Sequence, residues 1–308
     1  MLHPQAKAAL AEEDGAPPVS DPSVDIDVER RTGRAAAVAG PREDVGEVLD
    51  ADADGVPVRL YRPRTDHLLL PVIVHLHGGG FVFNDIEVHD AAVRRLVNRS
   101  GLAAVSVDYR RPPEHPFPAA PDDVDVVMGW LGRTGAAHGL DTSRLGVHGD
   151  SAGGNLALVA ALRHPGRLGA LALTYPFVDA RMRGASYDEA VGLFDRGEAA
   201  WYWEQYASSP DDYDDPDFSP IESTRLAVLP PTLVATAEHD PLRDEGELLA
   251  SRIAEAGVSC VATRYLGMLH GFWRHPEAFD AAEPLTRQIA GFFQSHLLPG
   301  GTATVPRQ

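Results

Sequence analysis

A serine flanked by glycines, in Gly149-Asp150-Ser151-Ala152-Gly153, is the first place in this sequence where residue types and spacing suggest covalent chemistry. A serine hydroxyl is a poor nucleophile at neutral pH. It needs a base to take its proton, and the base needs a carboxylate to orient it. Two later loops offer those groups in the required order. Asp240 follows the apolar stretch ending at Ala237, and His270 follows the stretch ending near Tyr265 and precedes Gly271. The chain contains 13 histidines, so His270 is singled out by position and not by type. Glu238 and Asp244 compete with Asp240, and both are expected to serve caps or structural hydrogen bonds. A tetrahedral intermediate also needs N–H donors that no side chain obstructs. Gly79 and Gly80, in His77-Gly78-Gly79-Gly80-Phe81, supply two, and Ala152 supplies a third.

Other chemistries fit less well. A glycine-rich loop can cradle phosphate, but neither G-x-x-x-x-G-K-[ST] nor G-x-G-x-x-G is present. His75 and His77 share one strand face, yet no H-E-x-x-H or cysteine cluster accompanies them, so no metal is expected. The acidic run Asp211–Asp215 lacks EF-hand spacing and reads as a solvated loop.

The serine needs a strand, a sharp turn and a helix to display it. Arg144–His148 reads as a buried strand, and Gly154–Leu162 as an apolar helix. The wider pattern repeats that alternation. A hairpin turns at Ala53-Asp54-Gly55, between Val45–Asp50 and Val56–Tyr61. Buried strands follow at 71–77, 103–109, 169–175, 232–237 and 259–265, with helices expected over 84–100, 119–132, 244–256 and 278–297. Strands apolar on both faces, alternating with helices, imply an α/β fold with a mostly parallel central sheet covered on both sides. Two segments break the pattern. Residues 1–45 hold short helices near Lys7–Glu13 and Asp25–Val38, with Asp25 or Asp27 as cap. Residues 179–225 hold Trp201, Tyr202, Trp203 and Tyr206, and a stretch of that length between strands suggests a lid.

The chain has 308 residues and a formal net charge of −18, which disfavours nucleic acid and anionic membranes as partners. No apolar run is long enough to span a bilayer, and Met1–Gln5 does not open a signal peptide. The single cysteine, Cys260, is expected to be an inert core residue. A cytoplasmic location is the expectation.

Taken together, the motifs resemble the hormone-sensitive-lipase-like family of α/β-hydrolases, the bacterial family IV esterases. His77–Phe81 resembles its oxyanion signature and Gly149–Asn155 its GDSAGGN elbow. Asp240–Glu245 resembles its acid motif, and His270-Gly271-Phe272 its histidine motif. Asp108-Tyr109-Arg110 with Pro113–Ala120 is similar to a further family loop, although Arg111-Pro112 stands where Leu-Ala is common. Arg110 and Glu114 read as structural polar residues. The resemblance spans about Val45–Leu297. It implies an α/β-hydrolase fold with a helical cap, formed by residues 1–45 and an insertion at about 180–225, on a catalytic domain over 46–308. It also implies a cofactor-free carboxylesterase of short- to medium-chain acyl esters, for which a homodimer is reasonable. Candidate pocket residues are Phe81, Phe83, Phe194, Trp201, Trp203, Phe272 and Trp273. The motifs do not separate an esterase from an amidase or a metabolite-tailoring hydrolase. A small-ligand receptor on the same fold is the alternative of another class; His270 argues against it.

Overall fold

The computed structural model describes residues 1–299 other than Asp14, Ala16, Ala190 and Leu193. Its centre is an eight-stranded sheet in the order β1-β2-β4-β3-β5-β6-β7-β8. The strands are β1 (Glu47–Ala53), β2 (Val56–Arg62), β3 (Leu70–Leu76), β4 (Ala103–Val107), β5 (Leu140–Asp150), β6 (Ala170–Thr174), β7 (Thr232–His239) and β8 (Cys260–Leu269). The β1–β2 hairpin and the β2–β4 pairing are antiparallel, and every later pairing is parallel.

Alternate residues of each inner strand feed two cores, as the pleat requires. Val72, Val74, Leu171, Leu173 and Val234 face the helices α4 (Ala119–Thr134), α5 (Ala152–Arg163) and α8 (Arg243–Glu255). Ile73, Ala170, Ala172, Leu233 and Ala235 face α3 (Asp90–Ser100) and α9 (Ala282–Leu297). Helix α3 starts later than its hydrophobic pattern suggests. Asn84 has φ 64°, and the Asp85 carboxylate accepts the N–H groups of Glu87 and Val88, so a turn occupies the expected first turns of helix. Helix α9 likewise begins at Ala282, after a series of turns.

The remaining helices lie outside the alternation: α1 (Pro4–Glu13), α2 (Ile26–Ala39), α6 (Ser186–Glu189) and α7 (Arg196–Tyr206). Asp25 caps α2 by accepting the Val28 N–H at 3.0 Å. Arg30 of α2 reaches into the body: its Nε donates to Val82 O at 2.9 Å, its Nη2 to Pro112 O at 2.6 Å, and its Nη1 pairs with Glu114 at 2.7 Å. The acidic run forms an exposed 3-10 turn over Pro210–Asp214. Cys260 is half-buried at the start of the edge strand and so is not a core residue. No described helix is long and apolar enough to cross a membrane.

Candidate active site

Strand β5 runs straight into α5 through Ser151, whose backbone is held at φ 55° and ψ −122°. Only close packing sustains that conformation. The chain turns so tightly that a Cβ at Gly149 would stand 2.0 Å from Gly153 O, and one at Gly153 2.0 Å from Leu76 O. Ser151 N donates to Thr174 O at 2.9 Å, and Ser151 O accepts from Phe177 N at 3.1 Å, so β6 clamps the turn.

His270, at the end of β8, places Nε2 2.9 Å from Ser151 Oγ and Nδ1 2.8 Å from Asp240 Oδ2. Asp240 is buried, and its other oxygen accepts the Leu242 N–H at 2.8 Å. That contact leaves Oδ2 for the imidazole. The rival acids are occupied elsewhere: Glu238 accepts from Gly267 N at 2.6 Å, and Asp244 from Ser186 N at 2.8 Å. The N–H groups of Gly79, Gly80 and Ala152 have no hydrogen-bond acceptor among the described residues.

A family model described as the alpha/beta hydrolase fold matches residues 73–274. The chain belongs to that family. Among its curated relatives, the ethyl acetate hydrolase of Pseudomonas putida is 32% identical over 277 residues, covering 85% of this chain and 87% of that one. The carboxylesterase NlhH of Mycobacterium tuberculosis is 37% identical over 240 residues, 75% of each chain. A hyperthermophilic esterase from Pyrobaculum calidifontis superposes with TM-score 0.86 at 37% identity, covering 96% of this chain and 98% of that one.

In this α/β-hydrolase the elbow and the glycine loop are tied together. Gly78 N donates to Asp150 Oδ1 at 3.0 Å, and His89 Nε2 lies 3.1 Å from the same oxygen. Tyr109 OH donates to His77 O at 2.6 Å and stacks on the His77 ring. Arg111 reaches the carbonyl of Asn84, so the departure from the family pattern at Arg111-Pro112 bears on the same loop. Arg110 is held by Asp123, with Nη2 at 2.7 Å, and Glu114 by Arg30.

Beneath the elbow lies a buried polar layer that sequence reading did not assemble. His75 Nδ1 is 3.0 Å from His148 Nδ1, whose Nε2 is 3.1 Å from Thr174 Oγ1. Burial holds all four histidines of this layer below their usual range, His77 to about 3 and His148 to about 4, so they are neutral at pH 7. Burial pushes the Asp150 carboxyl up, but the contact with His89 and the positive charge of Arg274, among others, together hold the group low. Ligand atoms of His75, His89 and Asp150 lie within 4.8 Å of one another. The Asp150 carboxylate is already engaged there by Gly78 and His89.

Ser151 and His270 open into a cavity of about 590 Å³. Gly79, Gly80, Phe83 and Phe194 line it, as does α2 through Glu29, Thr32, Gly33 and Ala36. A second cavity of about 540 Å³ shares Phe194, Glu198, Tyr202, His270 and Arg274 with the first and extends to Leu10 and Phe279. The Phe194 ring lies 4.8 Å from that of His270, tilted by 42°. Five of the seven expected wall residues do not line the Ser151 cavity. Phe81 is buried, stacked 3.7 Å from Tyr206, and Trp203 is buried against Phe177 and Phe218. Phe272 and Trp273 are buried in the core beside α9, and Trp201 packs on Phe83 and Tyr202. The wall residues of α7 are instead Glu198 and Tyr202, one turn apart on one face, while Ala199 and Trp203 turn inward. A helical wheel over 196–206 carries that signal; the aromatic residue type alone does not.

Proposed function

We propose that this chain hydrolyses carboxylic esters of short- to medium-chain acids, with Ser151 as nucleophile, His270 as general base and Asp240 as the group that orients it. The observation that carries the reading is the unbroken contact Asp240–His270–Ser151, at 2.8 and 2.9 Å, on a strained elbow. Ser151 Oγ attacks the ester carbonyl while its proton passes to His270 Nε2. The N–H groups of Gly79, Gly80 and Ala152 stabilise the oxyanion. His270 then protonates the leaving alkoxide, and the acyl group stays on Ser151. Water, deprotonated by His270, attacks the acyl-serine and releases the acid.

Residues 1–45 and about 180–225 act as the cap, which sets the acyl and alcohol preference. Support comes from α2 and α7, which both contribute walls to the Ser151 cavity. A cytoplasmic homodimer completes the reading, and sedimentation equilibrium and cell fractionation test those two points.

A p-nitrophenyl ester series from acetate to decanoate tests the activity and the chain length. Turnover retained by Ser151→Ala overturns the nucleophile, and a fluorophosphonate that does not label Ser151 revives the receptor alternative. Matched ester and anilide substrates separate esterase from amidase.

A further inference from the structure

The arginine in the cavity walls takes no part in the chemistry above. Arg274 lines both cavities, four residues after His270. Among the described residues its guanidinium has no hydrogen-bond acceptor and no acid within ion-pair distance. Other arginines are committed: Arg30 to Glu114, Arg34 to Asp85, Arg196 to Asp188 and Arg243 to Glu189. The chain carries 45 acidic residues against 27 basic ones, so an arginine with no acid partner is a departure from its surroundings.

The backbone carrying this arginine is rigid. Arg274 ends the 3-10 turn Phe272–Arg274, and its N–H donates to Gly271 O at 3.2 Å. Phe272 and Trp273 are both 0% exposed, and Arg95 Nη2 donates to Trp273 O at 2.9 Å. His270 and Arg274 therefore stand on one anchored segment, with a fixed offset between the base and the positive charge. Of the carboxylates in the same walls, Asp150 is held by Gly78 N and the His89 ring and also feels the Arg274 charge, Glu198 accepts the Val19 N–H at 3.1 Å, Glu12 and Glu29 are exposed, and Glu277 lies 3.1 Å from His275.

A planar guanidinium that makes no direct ion pair and is partly withdrawn from water matches the two oxygens of a carboxylate. One arginine among the carboxylates Glu29, Asp150 and Glu198 of the same wall suits a single negative charge better than a dianion such as phosphate. We propose that Arg274 recognises a carboxylate on the substrate, so that the preferred esters carry a negative charge besides the scissile bond. This rests on the hydrolase reading above and names its substrate class.

The test compares pairs that differ only by a methyl or a carboxylate end: ethyl hexanoate with monoethyl adipate, and butyl acetate with 4-acetoxybutanoate. The first pair places the charge on the acyl side, the second on the alcohol side. The native chain is expected to favour the charged member of at least one pair in kcat/KM. Arg274→Gln lowers that charged-to-neutral ratio about tenfold or more, chiefly through KM, and Arg274→Lys restores part of it. Arg31→Gln, which removes a positive charge from an exposed position outside both cavities, leaves the ratio as it was. Preference for the neutral member in both pairs, or a ratio unaltered by Arg274→Gln, overturns the proposal. Failure to cleave any of the four esters counts against the hydrolase reading instead.

Discussion

The ring of Tyr202 lies directly on Gly80: a Cβ at Gly80 would stand 2.0 Å from Tyr202 Cδ1. Helix α7 thus closes on the glycine loop with no room for a side chain between them. Gly80 also has φ 58°, where a Cβ is strained whatever the space. Gly80→Ala should misplace both the loop N–H and Tyr202. We expect kcat for p-nitrophenyl butyrate to fall at least about a hundredfold, the usual effect of removing one oxyanion donor. A loss below about threefold would exclude Gly80 as a donor.

Asp240→Asn keeps an oxygen for the Leu242 N–H and removes the charge that fixes the His270 tautomer. In a Ser-His-Asp mechanism this change costs roughly 10⁴-fold in kcat. The expected outcome is a loss of that order, with the urea midpoint of unfolding little changed. Steady-state kinetics and equilibrium unfolding on the same preparation check both parts.

Arg30 joins the N-terminal segment to Val82 O, Pro112 O and Glu114. Arg30→Ala removes these contacts without touching Ser151, His270 or Asp240. Losing hydrogen bonds to a charged group, worth about 1.5–3 kcal/mol each, should loosen α2 over the cavity. KM is expected to rise roughly tenfold, with a smaller change in kcat. Faster proteolysis within residues 1–40 would accompany it.

The buried histidines set a pH dependence of stability. Burial lowers His148 to about 4 and His77 to about 3, from an ordinary value of 6.5. Between those values the unfolded chain binds protons that the folded chain excludes. Stability is therefore full above pH 6.5 and is lost as pH falls towards 4. Each such histidine contributes about 1.4 kcal/mol per pH unit within the window. Unfolding free energies at pH 7, 6 and 5 should fall in that order. His148→Leu should reduce the slope by up to one proton.

The sheet was legible because strands β3 to β7 are apolar on both faces and alternate with helical patterns. The order of the Ser151, Asp240 and His270 loops along the chain was legible for the same reason: each loop follows a strand. Two kinds of information were not local in sequence. Whether Trp201, Tyr202 or Trp203 reaches the cavity depends on the rotation of α7, which its contact with Gly80 decides. The His75–His148 contact joins adjacent strands and needs the β3–β5 register, which pairs those two residues. The helix pattern over 84–100 failed at its start because Asn84 and Asp85 prefer a turn there.

The bond from Gly78 N to Asp150 has a consequence for how this protein can change by mutation. It fastens the glycine loop to the residue beside Ser151, 72 positions away in sequence. Ser151 and the glycine loop thus form one block, fixed by core strands. Part of the cavity wall comes from other segments, α2 and α7, which reach that block through side chains. Substitutions in the walls can redirect selectivity while the block stays whole. Substitutions at Asp150 or Gly78 should depress every substrate alike. For directed evolution this makes the protein modular, with the useful variation expected in α2 and α7.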